Sequence, residues 1–348
     1  MTDDHIYMHR CLSLAQLGAG TVAPNPMVGA VLVYENRIIG EGYHKKFGEA
    51  HAEVNCIRSV NASDQRLISK ATLYVSLEPC AHFGKTPPCT DLIIQHKIPK
   101  VVIGCRDPFN QVNGKGIQKL QDADVQVVVN VLEKECIDIN KRFFLFYSEH
   151  RPYIILKWAS TSDGKIAGTD GRRLFISQDL TNRIVHKWRS EETGILAGTQ
   201  TILLDNPELT TRLWPGTSPV RLILDLNLVI PVTYRIYNHE VKTVIFNSVK
   251  HDDDGNLLYY QVTKDVSIVQ QIINALFQMK IQSVLVEGGA RLLQSFLDES
   301  MWDEARVITN TELRIMDGLK APELLHGQKI SEENCLTDTI EYFRRVTG

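Results

Sequence analysis

The feature that most restricts how this chain folds is a repeated alternation of short apolar segments with longer segments of helical periodicity. Val28 to Val33 and Lys100 to Cys105 are rich in β-branched residues, whereas residues 4–18 and 133–146 carry apolar side chains at helical spacing. Such an alternation predicts an α/β protein whose strands are joined by helices.

The alternation is interrupted by the polar, proline-containing stretch 148–152, which we interpret as a linker. A chain of 348 residues also exceeds the length of ~250–300 residues at which a single core stops growing. We therefore predict two α/β domains, at residues 1–147 and 148–348. Further strands are expected at 37–42, 71–77, 125–130, 153–157, 194–197, 220–225, 243–246 and 283–286. Further helices are expected at 51–60, 91–96, 117–122, 180–190, 268–279 and 291–299. Residues 251–256 are expected to form a solvated loop, and a metal-binding loop is the less favoured alternative.

The composition excludes several classes of protein. The formal net charge of −3 gives no basic field for non-specific binding to nucleic acid. No apolar run reaches the ~18–20 residues of a membrane-spanning helix, and the polar start is unlike a signal peptide. The seven scattered cysteines do not form a disulfide framework. We therefore expect a cytoplasmic protein whose thiols are reduced and available as metal ligands.

The strongest chemical pattern is His51-Ala52-Glu53 followed by Pro79-Cys80 and later by Cys89. Zinc prefers nitrogen and thiolate ligands, and a catalytic site keeps one position open for water. His51, Cys80 and Cys89 supply three ligands, and bound zinc lowers the pKa of its water towards ~7. Glu53 is then placed to carry a proton from the water to a departing amine, as in zinc deaminases. A structural zinc would need a fourth ligand, for which Cys56 and His82 are the nearest candidates, and it would have no use for Glu53.

The spacing of the two cysteines indicates a particular kind of zinc deaminase, because it differs from the Pro-Cys-x-x-Cys that zinc deaminases usually show. Here the cysteines are separated by Ala81 to Pro88. This insert resembles the one in the bifunctional deaminase–reductases of riboflavin biosynthesis, and three further segments carry the same resemblance. They are Pro24-Asn25-Pro26-Met27-Val28-Gly29-Ala30, Gly42-Tyr43-His44, and Asp107 to Gly116.

The resemblance implies a cytidine-deaminase-like, three-layer α/β/α fold for the first domain. It implies a diaminopyrimidinone substrate with a ribosylamino 5′-phosphate, which loses its exocyclic amine to give a uracil. An asparagine donates to and accepts from a ring edge, and a lysine with a threonine suits a phosphate. The residues expected to bind this substrate are Asn25, His44, His82, Lys85 and Thr86.

The second half lacks the Gly-x-Gly-x-x-Gly pattern of a Rossmann domain. It has instead Val286-Glu287-Gly288-Gly289-Ala290-Arg291-Leu292, where a strand, a glycine turn and a helix start follow one another; such a turn suits a phosphate but is often only a tight connection. Together with Lys157 to Lys165, Gly198 to Pro207 and Leu209 to Arg212, this segment resembles the reductase half of the same family.

That resemblance implies a dihydrofolate-reductase-like α/β domain that uses NADPH to reduce the ribosyl group to a ribityl chain. The forks of Arg189 and Arg212 suit the 5′-phosphate, and Lys157 with Glu287 would polarise the opening ribose. The residues expected at the substrate are Lys157, Arg173, Arg189, Leu209, Arg212 and Glu287. The residues expected at the cofactor are Ala159, Phe175, Thr201, Asp205, Leu226, Gly289, Ala290, Arg291, Leu292, Leu293, Gln294 and Ser295.

The second half departs from its family at a few positions. Arg173-Leu174-Phe175-Ile176-Ser177 stands where the family shows Ser-x-Trp-Ile-Ser/Thr, so Arg173 replaces a small hydroxyl and Phe175 replaces a tryptophan. Thr193-Gly194 stands in place of Asp-Ala, and Asn206 in place of an aspartate. These departures concern the efficiency of the reductase and not its fold.

Two other functions compete with this interpretation. The chain could be a different zinc deaminase, acting on cytidine, deoxycytidylate or tRNA adenosine, with an unrelated tail. It could also be a zinc-stabilised module with a nucleotide-sensing tail. The cysteine insert and the second-half segments argue against the first, and Glu53 argues against the second. We expect one zinc per chain, NADPH, a small phosphorylated pyrimidine as substrate, no nucleic-acid or membrane partner, and a homodimer or homotetramer.

Overall fold

The computed structural model describes residues 3–83, 87–109, 112–169 and 172–346. The chain divides into two compact units, Met1–His150 and Arg151–Gly348. The expected linker is only partly present, because the last helix of the first unit continues through Ser148 to Glu149. Phe143 and Phe146 on that helix are buried, and their packing stabilises helix where the polar sequence predicted a loop.

The first unit contains an α/β arrangement around one sheet. Its strands are β1 (Gly29–Tyr34), β2 (Arg37–Tyr43), β3 (Thr72–Leu77), β4 (Lys100–Cys105) and β5 (Gln126–Val128). Its α-helices are α1 (Asp3–Ala15), α2 (Ala52–Arg58), α3 (Cys89–Gln95), α4 (Lys115–Asp122), α5 (Glu133–Ile139) and α6 (Lys141–Glu149), with 3-10 helices at Gln16–Gly18 and Ala62–Lys70.

The sheet order is β2-β1-β3-β4-β5, with β1 antiparallel to both neighbours and β3, β4 and β5 mutually parallel. Alternate residues of a strand face opposite sides. Leu73 and Val75 therefore pack in the cluster that contains Cys56 and Ile57 of α2, whereas Tyr74 packs with Met8 and Leu12 of α1. Helices thus cover both faces, and the predicted three-layer α/β/α fold is confirmed.

The second unit is built on a longer sheet. Its strands are β6 (Tyr153–Thr161), β7 (Lys165–Gly168), β8 (Gly194–Gly198), β9 (Val220–Leu224), β10 (Thr243–Asn247), β11 (Asp252–Asp253), β12 (Leu257–Gln261), β13 (Ser283–Glu287), β14 (Glu304–Asn310), β15 (Gly318–Lys320), β16 (Gly327–Cys335) and β17 (Asp338–Arg345). Its α-helices are α7 (Asp179–Glu191), α8 (Thr199–Asp205), α9 (Ile268–Gln278) and α10 (Ala290–Asp298), with a 3-10 helix at Arg235–Tyr237.

Ten strands form the main sheet in the order β11-β12-β10-β9-β8-β13-β6-β14-β17-β16, and β7 pairs with β15 separately. The strands from β12 to β14 are parallel, so their carboxyl ends meet at one edge of the sheet. Lys157 of β6 lies opposite Glu287 of β13 in this register. The topology therefore brings together two residues that are far apart in the sequence.

Several elements of the second unit differ from the sequence prediction. Within 251–256, expected to be a solvated loop, Asp252 and Asp253 are exposed but pair with β12 as a two-residue strand. The hairpin of β16 and β17 was not predicted, because most residues of β16 are exposed and polar and give no apolar alternation. In the described part of the chain, no helix combines the length and the apolar character needed to cross a membrane.

Candidate active sites

Three candidate zinc ligands meet at one end of the first sheet. His51 precedes α2, Cys80 follows β3, and Cys89 is the first residue of α3. The Nδ1 atom of His51 lies 3.6 Å from Sγ of Cys80 and 3.4 Å from Sγ of Cys89. Tetrahedral zinc with ordinary Zn–N and Zn–S bonds holds such atoms roughly 3.6 Å apart. The three side chains are therefore already arranged as a zinc site requires.

The pKa values of the two thiols in this group are shifted in opposite directions. The hydrogen bond between the two sulfurs, together with the contact to His51, lowers the pKa of Cys80 to about 4, while the same sulfur contact raises the pKa of Cys89. One thiolate is thus favoured before any metal binds. Because zinc binds the thiolate form, this electrostatic bias suits the donor set to a zinc ion.

Glu53 lies beside the ligand group on the first turn of α2 and is buried. Burial and the neighbouring Cys80 raise the pKa of its carboxyl, against the opposing effect of His51. A raised pKa suits a group that must both accept and donate a proton near neutral pH. Among the described residues, the candidate metal-ligand group has three members and includes neither Cys56 nor His82. The arrangement is that of a catalytic and not a closed structural site.

A cavity of about 260 Å³ opens over this group and is lined by Asn25, His44 and His82 among others. The Nδ2 atom of Asn25 lies 3.1 Å from Nε2 of His44, whose Nδ1 lies 3.1 Å from the carbonyl oxygen of Ala50. Since a carbonyl only accepts, Nδ1 carries the proton and Nε2 accepts from Asn25. Burial lowers the pKa of His44, which favours this neutral form. The Oδ1 atom of Asn25 is thereby left for another donor.

Part of the cavity wall was missed by the sequence analysis. Asp107 lines the cavity, and burial raises the pKa of its carboxyl to about 7. Phe109 and Tyr147 lie against each other at a ring-centroid distance of 5.0 Å and line the same cavity with Phe143. The expected residues Lys85 and Thr86 lie outside the described residues.

Glu78 is the residue directly after β3, and its side chain holds the loop that carries Asp107. Its buried carboxylate accepts backbone N–H groups from Asp107 at 3.3 Å, Gly114 at 3.1 Å, Gly116 at 3.0 Å and Ile117 at 3.2 Å. These bonds pair backbone N–H groups at the start of α4 that have no partner within the helix, and they connect the loop to the end of β3. This role could not be recognised in the sequence, because all four partners are backbone groups distant in the chain.

Asn140, between α5 and α6, holds the other substrate loop. Its side-chain amide donates to the carbonyl of Met27 and accepts from the N–H of Met27, both at 2.8 Å. Met27 lies two residues after Asn25, so this clamp positions the segment that presents Asn25. It also explains why the single helix expected over 133–146 is divided at Asn140.

The second unit brings three expected substrate residues together. Glu287 at the end of β13 accepts from Nε and Nη2 of Arg189 at 2.7 Å each, and Nζ of Lys157 lies 3.6 Å from its carboxylate. Burial alone would raise the pKa of Glu287, but Arg189 and Lys157 outweigh it and lower the pKa to about 2. The guanidinium of Arg189 is therefore hydrogen-bonded to Glu287, whereas the sequence prediction had it open to a phosphate.

The remaining expected substrate residues are placed differently. Arg212 is exposed and makes a long contact to Glu208, with Nη1 and Oε2 3.5 Å apart, so its guanidinium is available. Leu209 is buried. Arg173 lies 4.6 Å above the ring of Phe175, and its Nε is 3.8 Å from the carboxylate of Asp205. Arg173 thus lies with two expected cofactor residues.

The glycine turn lies between β13 and α10, so the predicted succession of strand, turn and helix is confirmed. Gly288 and Gly289 have φ values of +108° and +84°, which favour glycine, and a Cβ on Gly288 would lie 3.0 Å from Thr201. Thr201 and Asp205 lie on α8, Ala159 on β6, and Leu226 just after β9. Ala290 to Ser295 form the first turns of α10. Phe175 is 73% exposed, so its ring is open to a stacking partner.

The fold and the two sites define the class: a zinc-binding pyrimidine deaminase domain combined with a reductase domain. Residues 1–105 match the cytidine and deoxycytidylate deaminase zinc-binding region, and residues 152–313 match the RibD C-terminal domain. The chain belongs to the RibD family, the bifunctional deaminase–reductases of riboflavin biosynthesis.

Known proteins of this family are similar over nearly the whole chain. The riboflavin biosynthesis protein RibD of Aquifex aeolicus is 38% identical, and the alignment covers 98% of each chain. That of Actinobacillus pleuropneumoniae is 36% identical over 94% of this chain and 88% of the relative. The Thermotoga maritima deaminase–reductase structure is 36% identical, with a TM-score of 0.88 and 99% of both chains covered. RibD of Acinetobacter baumannii is 28% identical, with a TM-score of 0.91 and 99% of both chains covered.

Proposed function

We propose that the unit Met1–His150 deaminates a diaminopyrimidinone that carries a ribosylamino 5′-phosphate, and that the unit Arg151–Gly348 then reduces the ribosyl group to ribityl with NADPH. The observation that carries this proposal is the group of His51, Cys80 and Cys89 beside the buried carboxylate of Glu53. The similar Thermotoga maritima protein is a diaminohydroxyphosphoribosylaminopyrimidine deaminase and 5-amino-6-(5-phosphoribosylamino)uracil reductase.

In the deaminase site, the chain's own residues orient the ring and move the protons. His51, Cys80 and Cys89 would hold zinc, which when bound lowers the pKa of water and makes it a nucleophile. Glu53 takes the proton of the attacking water and delivers it to the exocyclic amine, so that the carbon–nitrogen bond breaks and ammonia leaves. Asn25, held by His44, reads the ring edge, while His82 and Asp107 line the cavity around it.

The phosphate of the deaminase substrate is assigned by chemistry alone. Lys85 and Thr86 lie in the insert between Cys80 and Cys89, and an ammonium with a hydroxyl is a suitable pair for phosphate oxygens. The aromatic wall of Phe109 and Tyr147 suits a planar ring. The proposal therefore places the pyrimidine between this wall and the ligand group.

In the reductase site, NADPH supplies the hydride, and the chain positions and polarises. The turn at Gly288 and Gly289, with Thr201 beside it, would hold the cofactor, and Phe175 would stack on it. Glu287 is the last residue of β13, and Lys157 lies opposite it within the neighbouring parallel strand β6; the pair would polarise the opening ribose. The available guanidinium of Arg212 is the proposed contact for the 5′-phosphate.

A substrate comparison tests the proposal against another pyrimidine deaminase activity. Purified zinc-loaded protein is incubated separately with the diaminopyrimidinone phosphate, cytidine and deoxycytidylate, and ammonia release is measured. We expect release from the first substrate only, at a rate at least ~100-fold above the others, since a site built to bond a polar group rejects analogues strongly. Preference for cytidine or deoxycytidylate would contradict the proposal.

The assembly and location of the protein belong to the same proposal. We expect a cytoplasmic homodimer or homotetramer; the free cysteines, two of which must act as thiolates, suit a reducing compartment. Sedimentation analysis over a range of protein concentrations tests the assembly. A species with the mass of one chain at every concentration would contradict it.

A further inference from the structure

His186 on α7 lies among the residues proposed for the reductase substrate, although nothing in the sequence drew attention to it. Its side chain is 4% exposed. Its Nδ1 atom lies 3.0 Å from the backbone nitrogen of Arg212 and 3.4 Å from that of Leu213. Its Nε2 atom lies 3.4 Å from Nη1 of Arg189. The ring thus lies between the segment that presents Arg212 and the pair formed by Arg189 and Glu287.

The contacts determine which ring nitrogen carries the proton. A backbone N–H only donates, so Nδ1 must offer its lone pair to Arg212 and Leu213. The imidazole is therefore neutral, with its proton on Nε2. The 3.4 Å approach of Nη1 of Arg189 to Nε2 is then a contact and not a hydrogen bond, because both atoms are donors. Burial, together with the charges of Arg189 and Arg212, lowers the pKa of His186 to about 4, which is consistent with a neutral ring at pH 7.

The segment from Leu209 to Leu213 needs external support. Leu209 has a φ of +52°, a left-handed conformation that is uncommon for residues other than glycine. The segment is held by Arg189, whose Nη1 donates to the carbonyl of Thr210 at 3.2 Å, and by Ser218, whose hydroxyl accepts from the N–H of Thr211 at 3.1 Å. The backbone of Arg212 itself is held by His186.

We infer that His186 is a positioning residue of the reductase: its Nδ1 lone pair holds the main chain of Arg212 so that the guanidinium is presented to the phosphate of the substrate. This inference rests on the proposed function, because it assumes that Arg212 binds that phosphate. It assigns His186 no contact with the reacting atoms. Its loss should weaken binding of the phosphorylated substrate and leave the hydride step nearly unchanged.

Three substitutions test this inference. In His186→Asn, the side-chain oxygen lies near the position of Nδ1 and can still accept from Arg212. His186→Gln places its amide near Nε2 instead, and His186→Leu removes both polar atoms. We expect His186→Leu and His186→Gln to raise KM for the phosphorylated aminouracil by about tenfold, the effect of one lost hydrogen bond of ordinary strength. We expect kcat and KM for NADPH to change less than about threefold, and His186→Asn to restore KM.

Two controls separate positioning from a general loss of structure. Ammonia release by the same chain should stay at the wild-type rate in all three variants. With the dephosphorylated aminouracil riboside, wild type and His186→Leu should have the same KM, since the phosphate contact is then missing from both.

An unchanged KM in His186→Leu would overturn the inference, as would a His186→Asn variant as impaired as His186→Leu. An equal effect on phosphorylated and dephosphorylated substrates would also overturn it. The proposed function fails separately, and before any variant is measured, if the wild-type protein does not oxidise NADPH with the phosphorylated aminouracil.

Discussion

At the scale of single residues, the deaminase site separates metal binding from proton transfer, because different side chains serve the two roles. His51, Cys80 and Cys89 have their donor atoms at the separations a tetrahedral ion needs, whereas Glu53 is buried beside them and outside the ligand group. Substitution of a ligand should therefore remove the metal, whereas substitution of Glu53 should remove only proton transfer.

Glu53→Gln should abolish proton transfer while keeping the metal. The amide has almost the same shape but cannot take a proton from water, so we expect ammonia release to fall by about 10²–10⁴-fold. Metal analysis should still find about one zinc per chain, and NADPH oxidation with supplied aminouracil phosphate should be unchanged. A Glu53→Gln protein that retains wild-type ammonia release would contradict the assigned role.

Cys80→Ala should remove the metal itself. Loss of one of three protein ligands should lower bound zinc well below one per chain and abolish ammonia release. Cys56→Ala is the matched control, because Cys56 is a buried thiol on α2 that lies outside the ligand group. It should keep its zinc and lose only stability. Equal zinc loss in both variants would mean that Cys80 is not a ligand.

His186 should make the stability of the second unit depend on pH in a defined window. Its pKa is lowered from 6.5 to about 4 in the folded chain, so between these values the unfolded chain binds more protons. The free energy of unfolding contributed by His186 is therefore fully present above pH 6.5 and is lost as the pH falls towards 4. Denaturant titrations should show a shallower fall over this range in His186→Asn than in wild type; identical slopes would contradict the neutral buried imidazole.

At the scale of elements, buried polar side chains hold the loops that form the deaminase cavity. Glu78 accepts four backbone N–H groups, two from the segment between β4 and α4 and two from the first turn of α4, and Asn140 clamps Met27 through two hydrogen bonds. Each leaves backbone groups unpaired when it is removed, at about 1–3 kcal/mol per buried group.

Glu78→Gln should loosen the cavity without touching the ligands. The amide presents a donor to backbone N–H groups, so at least one of the four bonds is lost. We expect a lower melting temperature of the first unit and a raised KM for the deaminase substrate, with zinc content and NADPH oxidation unchanged. Glu135→Gln, at an exposed position of α5, is the control and should behave as wild type. A Glu78→Gln protein with unchanged KM and melting temperature would show that the loop does not depend on this carboxylate.

The same elements show how far the sequence predicts this molecule. His51, Glu53, Cys80 and Cys89 were found because ligand chemistry requires particular side chains in a recognisable order. Glu78, Asn140 and His186 were missed because their partners are main-chain atoms. Such atoms are the same in almost every residue type, so a sequence does not reveal these contacts. The commitment of Arg189 to Glu287 was missed for a related reason, since it depends on which strands are neighbours in the sheet.

Strand prediction in the second unit missed both buried and exposed strands. The apolar runs of β6, β8, β9, β10 and β13 were recognised in the sequence, whereas β12 and the largely buried β14 were not predicted. β16 lies at the sheet edge with polar, exposed residues, so that its pairing with β17 is set by the hairpin and not by apolar alternation. The extension of α6 through Glu149 was hidden in the same way, by polar residues that follow two buried phenylalanines.

At the scale of the whole molecule, the central claim is that one chain carries two reactions in a fixed order. The most direct measurement is a time course with zinc-loaded protein and the diaminopyrimidinone phosphate, in which ammonia and NADPH are followed together. The account predicts one ammonia per substrate with or without NADPH, and NADPH oxidation that begins after a lag and never exceeds the ammonia released. NADPH oxidation that precedes ammonia release, or occurs without it, would contradict the account.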